Sequence, residues 1–246
     1  MHPVLLQLGP IAIYSYGAMA ALGFLAALLI GILFSKKTPL MRDGDDLINF
    51  SLWLIFLGFL GARIFYVIQF WDEFRHQLLD IILIQRHTGF VWYGGMIASG
   101  LYILWFAYQR KLNLRELLDY LTPAVILGHT FGRIGCFLYG CCYGKITQFQ
   151  YGVHFPFDPD HLRHATQLYE SGAYFLVFLI TLILFYRKKL HGVVFGVGLL
   201  LHSLVRFSVE FIRENPTYLF NLSSAQWIAL GLMAVALIVL GTRKLQ

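Results

Sequence analysis

The chain has 246 residues, of which 58% are hydrophobic and 13% charged, with a formal net charge of +6 and a mean hydropathy of +0.66. Soluble domains carry about a quarter charged residues, so this composition excludes an ordinary water-soluble globule and requires apolar surface to face lipid. The positive charge does not point to nucleic acid, because the basic residues flank apolar runs and form no exposed basic domain.

Seven apolar runs cover approximately residues 11–34, 47–70, 90–108, 117–138, 166–186, 192–212 and 224–241. Each is close to the ~20 residues that carry a helix across about 30 Å of hydrocarbon. The expected fold is therefore an all-α integral membrane protein with about seven transmembrane helices, a single polytopic domain over residues 1–246. The fourth run is the least apolar, since it holds Asp119, His129 and Arg133. The stretch 78–84 is too short to span and reads as interfacial. The first run has neither a cationic leader nor a small-residue cleavage site, so it reads as a retained span.

Lysine and arginine alternate between loops. Lys36, Lys37 and Arg42, then Arg110, Lys111 and Arg115, then Arg187, Lys188 and Lys189, and finally Arg243 and Lys244 fall on one side. The opposite side holds only Arg75, Arg86, Lys145 and Arg163. Basic residues mark cytoplasmic loops, so the N-terminus is expected outside and the C-terminus in the cytoplasm. The longest non-spanning stretch, 139–165, is then an outer-side loop region.

Four arginines, Arg63, Arg133, Arg206 and Arg213, fall within or near the spans. An arginine near mid-bilayer costs roughly 2.5–3.5 kcal/mol on insertion scales. The structural reading is that each snorkels to an interface or pairs with a carboxylate, and Arg213, near a span end, suits an interfacial anchor. His202, Arg206, Glu210 and Arg213 lie at helical spacing and share one stripe. Glu210 can neutralise one of these arginines but not both. Arg133 has no acid near it in sequence, while His129 shares its face one turn away. Surplus cation in an apolar setting suggests an anionic ligand such as a phosphate.

All three cysteines fall in the segment 132–144, Gly-Arg-Ile-Gly-Cys-Phe-Leu-Tyr-Gly-Cys-Cys-Tyr-Gly. Gly132 and Gly135 suit close helix approach, and Gly140 and Gly144 suit tight backbone past the span end. Cys136, Cys141 and Cys142 lack familiar metal-ligand spacing and no histidine completes a set, so no metal is expected. Three other readings stay open: small buried hydrophobes, a disulfide between Cys136 and Cys141 or Cys142, and a reactive thiol beside Arg133. No glycine-rich phosphate loop lies between a strand and a helix, so no cofactor is expected.

The segment 132–144 resembles the signature of the prolipoprotein diacylglyceryl transferase family, bacterial inner-membrane enzymes that lipidate lipoprotein precursors. Other segments resemble that family in its order along the chain. They are Leu8-Gly9-Pro10 with Tyr14-Ser15-Tyr16-Gly17, then Gly61-Ala62-Arg63-Ile64, Tyr93-Gly94-Gly95, residues 163–170 (Arg-His-Ala-Thr-Gln-Leu-Tyr-Glu) and residues 206–213 (Arg-Phe-Ser-Val-Glu-Phe-Ile-Arg). The resemblance implies transfer of the diacylglyceryl group of phosphatidylglycerol to the thiol of a lipobox cysteine in a prolipoprotein signal peptide, with release of glycerol phosphate. Its partners would be that lipid, that peptide and the surrounding membrane, with no nucleic acid.

Arg133 and Arg206 are then the expected phosphate binders, with Glu210 orienting Arg206. The resemblance also places Tyr16, Arg63, Gly94, Gly95, Cys136, Cys141, Gly144, His164 and Gln167 around the substrate. The chain departs from the family at three positions: Tyr93 stands for a histidine, Cys136 for an asparagine and Cys141 for a glutamate. A phenol titrates near 10, so Tyr93 is a poor base, and His129 is the alternative. Two further readings are a membrane thiol enzyme or divergent paralogue acting on another lipid or thiol, and an anion transporter, for which the sequence offers no inverted repeat.

Overall fold

A computed structural model describes residues 1–9, 11–38, 40–41, 43–75, 77–81, 89–187 and 191–242. Pro10, Arg42, Arg86, Lys188, Lys189, Arg243, Lys244 and the end of the stretch 78–84 lie outside the described residues. The chain forms two compact units, one of residues 1–34 and 118–246, the other of residues 35–117.

The larger unit opens with an antiparallel hairpin of β1 (Val4–Leu8) and β2 (Ile11–Tyr14). The first apolar run was expected to be helical from residue 11, yet the helix α1 covers Ser15–Ser35. The β-branched alternation of Ile11 and Ile13 favours a strand, and Gly9 at φ +60° turns the chain back between the two strands. Ser15 closes the hairpin onto the helix, its backbone N–H and Oγ both donating to Pro3 O at 3.0 Å.

The smaller unit contains α2 (Gly44–Gln69), the short α3 (Trp71–Phe74), a 3₁₀ turn (Leu78–Ile81) and α4 (Trp92–Arg110). Asp43 caps α2 through Asp46 N, and Arg110 at the end of α4 grips Asp46 with two hydrogen bonds of 2.6 and 3.0 Å. α2 and α4 meet through glycines. A Cβ on Gly61 would lie 2.5 Å from Gly94 O, one on Gly94 2.4 Å from Gly61 O, and one on Gly95 2.9 Å from Gly58 O.

α5 (Leu114–Tyr139) continues into the larger unit, which also holds β3 (Val153–Phe155), β4 (Asp158–Arg163), α6 (Thr166–Arg187), α7 (Val193–Glu210) and α8 (Ser224–Gly241). Its core gathers Ile126, Leu127, Tyr174, Val177 and Phe178. Asp119, which weakened the fourth run, is fully buried and accepts hydrogen bonds of 2.8 Å from the N–H groups of Gly192 and Phe195. It thereby satisfies orphan donors at the start of α7. β3 and β4 make a hairpin within the 139–165 region.

All seven expected helices are present. Six of them are long and apolar enough to cross a membrane, among the described residues. α4 is the expected span outside that set: its 19 residues suffice in length, but its tryptophans, tyrosines and glycines lower its hydropathy.

Candidate active site

Three helices of the larger unit face one another with charged side chains. Arg133 on α5 places Nε 2.8 Å from Glu170 Oε2 on α6. Arg206 on α7 donates from Nη1 to Glu170 Oε1 at 3.1 Å and lies 2.9 Å from Glu210 Oε2. Arg213, just past α7, sits 3.9 Å from both Glu170 Oε2 and Glu210 Oε2. Glu170 and Glu210 are almost wholly buried, and the three arginine side chains are 12–22% exposed. Three guanidiniums thus share two carboxylates, leaving one unit of surplus positive charge.

Arg213, whose place near a span end suits an interfacial anchor, also lies beside the two buried carboxylates. The chain past α7 turns back, and Arg213 pairs with Gly144 in a β-bridge. Lys145 N donates to Ile212 O at 2.8 Å and Gly144 N to His164 O at 2.9 Å. Gly144 has no room for a side chain, since a Cβ would lie 2.6 Å from Ile212 O. Glycine here lets two segments pass close enough to carry Arg213 to the charge cluster. Its Nε and Nη1 are buried and make no hydrogen bond, so they are donors available to an anion.

One helical turn along each of the three helices lies an aromatic layer. His129 Nδ1 is 2.8 Å from His202 Nε2, and both rings stack on Tyr174 with centroids 4.8 and 4.7 Å away. His129 precedes Arg133, Tyr174 follows Glu170 and His202 precedes Arg206 by four residues each. The same i, i+4 relation therefore puts a flat packed floor beside Arg133, Glu170 and Arg206.

At the end of α5 the three cysteines converge. Their sulfurs all lie within 4.8 Å of one another, with Cys141 and Cys142 3.4 Å apart, and all three are free thiols. Gly140 at φ +88° and Cys142 at φ +65° fold the chain back, and Cys141 N donates to Cys136 O at 3.1 Å. Gln167 Nε2 donates to Cys141 O, and Thr166 Oγ1 to Cys142 O at 2.9 Å. Hydrogen bonds from the neighbouring thiols, first that of Cys136, and the nearby Arg213 and Arg133 guanidiniums hold the Cys142 thiol far below its usual range.

Tyr16 packs beside this segment, a Cβ on Gly135 lying 3.3 Å from Tyr16 Cα. Gly132, expected to allow close approach, instead has open space beside it. His164 is partly exposed with Nδ1 3.4 Å from Tyr169 Oη. Beside it, Arg163 binds Asp158 and donates to Glu214 at 2.6 Å. In the smaller unit, Arg63 is buried and donates to the carbonyls of Asp80, Ile81 and Gly89 at 2.8–3.1 Å. That places its guanidinium on a loop. Gly94 and Gly95 there serve helix packing, and Tyr93 is 45% exposed.

Sequence reasoning missed Glu170 and Tyr174 as members of the centre. Glu170 closes a family-like motif, but the arginines it joins are far away along the chain.

A family model for prolipoprotein diacylglyceryl transferase matches residues 3–242. A phosphatidylglycerol–prolipoprotein diacylglyceryl transferase of Clostridium tetani is 36% identical, covering 97% of this chain and 96% of the relative. One from Clostridium perfringens is 34% identical over 100% and 97%, and one from Streptococcus mutans 32% identical over 99% and 96%. With the match running through the arginine helices, the cysteine turn and the glycine contacts alike, the chain belongs to the prolipoprotein diacylglyceryl transferase family.

Proposed function

We propose that this chain transfers the diacylglyceryl group of phosphatidylglycerol to a prolipoprotein, with the cluster of Arg133, Glu170, Arg206, Glu210 and Arg213 binding the lipid phosphate. The observation that carries the site is the imbalance of three arginines over two carboxylates, with buried Arg213 donors that make no hydrogen bond. The reaction is supported by family membership and by the activity named for the relatives.

The acceptor is the thiol of a lipobox cysteine in the precursor's signal peptide. Its sulfur forms a bond to the glyceryl carbon that bears the phosphate ester, and the carbon–oxygen bond breaks. Glycerol phosphate leaves with that electron pair, and the proton lost by the thiol passes to water. Charge grows on the departing phosphate, so fixed guanidiniums stabilise the transition state more than the ground state. Glu170 and Glu210 hold the arginine forks before substrate arrives, which spares reorganisation during the reaction. His129, with Nδ1 engaged by His202 and its face on Tyr174, supports Arg133 from below.

Tyr16, Cys136, Cys141, His164 and Gln167 surround the end of α5 where the peptide would approach, while Arg63, Gly94 and Gly95 shape the smaller unit. The protein is multi-pass. We place it in the bacterial inner membrane with the N-terminus outside and residues 139–165 on the outer face, a reading supported by the alternation of Lys and Arg between loops.

Complementation of a strain depleted of its own transferase tests this reading, because it requires donor, acceptor and topology together. Growth with thioether-modified lipoproteins is the expected result. Failure of a well-expressed, membrane-inserted chain to restore either would overturn it.

A further inference from the structure

The cysteine turn is more than the phosphate chemistry requires. Three sulfurs lie within 4.8 Å of one another, and the close pair is 3.4 Å apart. Metal–thiolate bonds of about 2.3 Å around a tetrahedral ion set ligand sulfurs roughly 3.8 Å apart, inside that range. The backbone holds the thiols there. The left-handed residues Gly140 and Cys142 reverse the chain, while Gln167 and Thr166 fix the two following carbonyls. Apolar packing does not account for the trio, since Cys136 is buried but Cys141 is half-buried and Cys142 exposed. Among the described residues no His, Asp or Glu joins this group, so the set has three protein ligands and leaves a fourth position of a tetrahedral ion open. A structural site is usually closed by four protein ligands, whereas three with an exchangeable place is the arrangement of a reactive one.

We propose that Cys136, Cys141 and Cys142 bind a thiophilic divalent ion of the zinc class, and that the substrate's acceptor thiol takes the fourth position. This rests on the transferase reading above. A free thiol has a pKa near 8.5 and is only a few per cent ionised at neutral pH. His129 is engaged by His202. Ligation removes the need for a base: the acceptor's proton passes to water as its sulfur binds the ion. The sulfur's lone pair then forms the bond to the glyceryl carbon, and the carbon–oxygen pair leaves on glycerol phosphate. The ion is neither oxidised nor reduced. The product thioether has no charge on sulfur, binds the ion more weakly than a thiolate and gives way to the next acceptor. Arg133 lies one turn before Cys136 and Arg213 is bridged to Gly144, so the lipid phosphate and the activated sulfur meet at the end of α5.

The test uses the full-length protein in nanodiscs, reduced and freed of metal with a chelator, with Co²⁺ as spectroscopic probe. We expect one Co²⁺ per chain with thiolate-to-cobalt charge-transfer absorption, weakened at least tenfold in each of Cys136→Ser, Cys141→Ser and Cys142→Ser. A lipobox peptide should then shift the cobalt bands, and the same peptide with its cysteine replaced by serine should not. Absence of a stoichiometric thiolate–cobalt spectrum in the wild-type protein overturns the site, whatever the variants do. A spectrum indifferent to the peptide thiol overturns the activating role. Transfer by the metal-free protein should drop at least tenfold and return with Zn²⁺; unchanged transfer overturns the proposal while leaving the transferase reading in place. A cobalt site that responds to the thiol in a protein making no thioether, with or without Zn²⁺, would sink the transferase reading and leave the metal site.

Discussion

Arg133 Nε lies 2.8 Å from Oε2 of Glu170, a carboxylate with no solvent exposure that also receives Arg206 on its other oxygen. One buried acid therefore joins the two arginines assigned to the phosphate, from helices on either side of it in the chain. Removing it strands two cations at once.

Glu170→Gln should accordingly be the most damaging single change in the centre. Breaking a buried ion pair from one side costs about 3–5 kcal/mol, so thermal unfolding in detergent should shift markedly downward, with transfer lost alongside. A variant with wild-type stability and activity would show that Glu170 is dispensable to the cluster.

Arg133→Lys and Arg206→Lys keep the charge but lose the planar fork that holds carboxylate and phosphate together. Each should lower turnover on phosphatidylglycerol by about 10²–10³-fold, the range seen on removing one transition-state donor. Turnover within a factor of two of wild type in a folded Lys variant would move the phosphate site elsewhere.

The His129–His202 contact should appear as coupling in a double-mutant cycle. His129→Gln and His202→Gln each leave a buried partner unsatisfied, costing about 1–3 kcal/mol, and the double variant should cost less than their sum. If His129 only supports Arg133, the acid limb of the pH–rate profile in His129→Gln stays where it is in wild type. A displaced limb would return His129 to the role of base.

Much of this centre was legible from spacing alone, and the reasons for the gaps are physical. The stripe of His202, Arg206, Glu210 and Arg213 follows from helical periodicity, and the helix boundaries follow from apolar run length. Glu170 was hidden because its partners on α5 and α7 are brought together only by packing. Arg213 read as an anchor because its placement depends on the return of the chain past α7 and on the closeness that Gly144 permits. The sulfurs at 136, 141 and 142 have no helical or familiar ligand spacing, since two left-handed residues set their meeting. Ile11–Tyr14 read as helix because an apolar run does not by itself distinguish a strand from a span.

In the smaller unit, Gly94→Ala forces a methyl group to within 2.4 Å of Gly61 O. Backbone cannot yield as a flexible side chain does, so α4 must move off α2 at a cost of about 1–3 kcal/mol. Unfolding temperature should fall in Gly94→Ala and fall further in Gly61→Ala/Gly94→Ala. An unchanged melting curve would show that the two helices do not rely on this approach.

The β3–β4 hairpin offers a pH test. Hydrogen bonds from His161 and then Arg163 hold the Asp158 carboxyl below its usual range. A lowered folded pKa contributes stability that is present above the unfolded value, about 3.9, and is lost as pH falls through the folded value. Amide exchange in the hairpin should thus loosen as pH falls below about 4. Asp158→Asn should show the loosened pattern already at neutral pH. Equal protection in both would remove Asp158 from the hairpin's stability.

Asp119 and Arg133 stand on the same helix about 21 Å apart, at a rise of 1.5 Å per residue. The first holds the N–H groups that open α7, and the second meets the side chains that close it through Glu170. α7 is thereby bolted to α5 at two mounts separated by most of the hydrocarbon thickness, and it can neither slide nor tilt without shearing one of them. A two-tailed lipid therefore meets a jaw that these two tethers hold fixed.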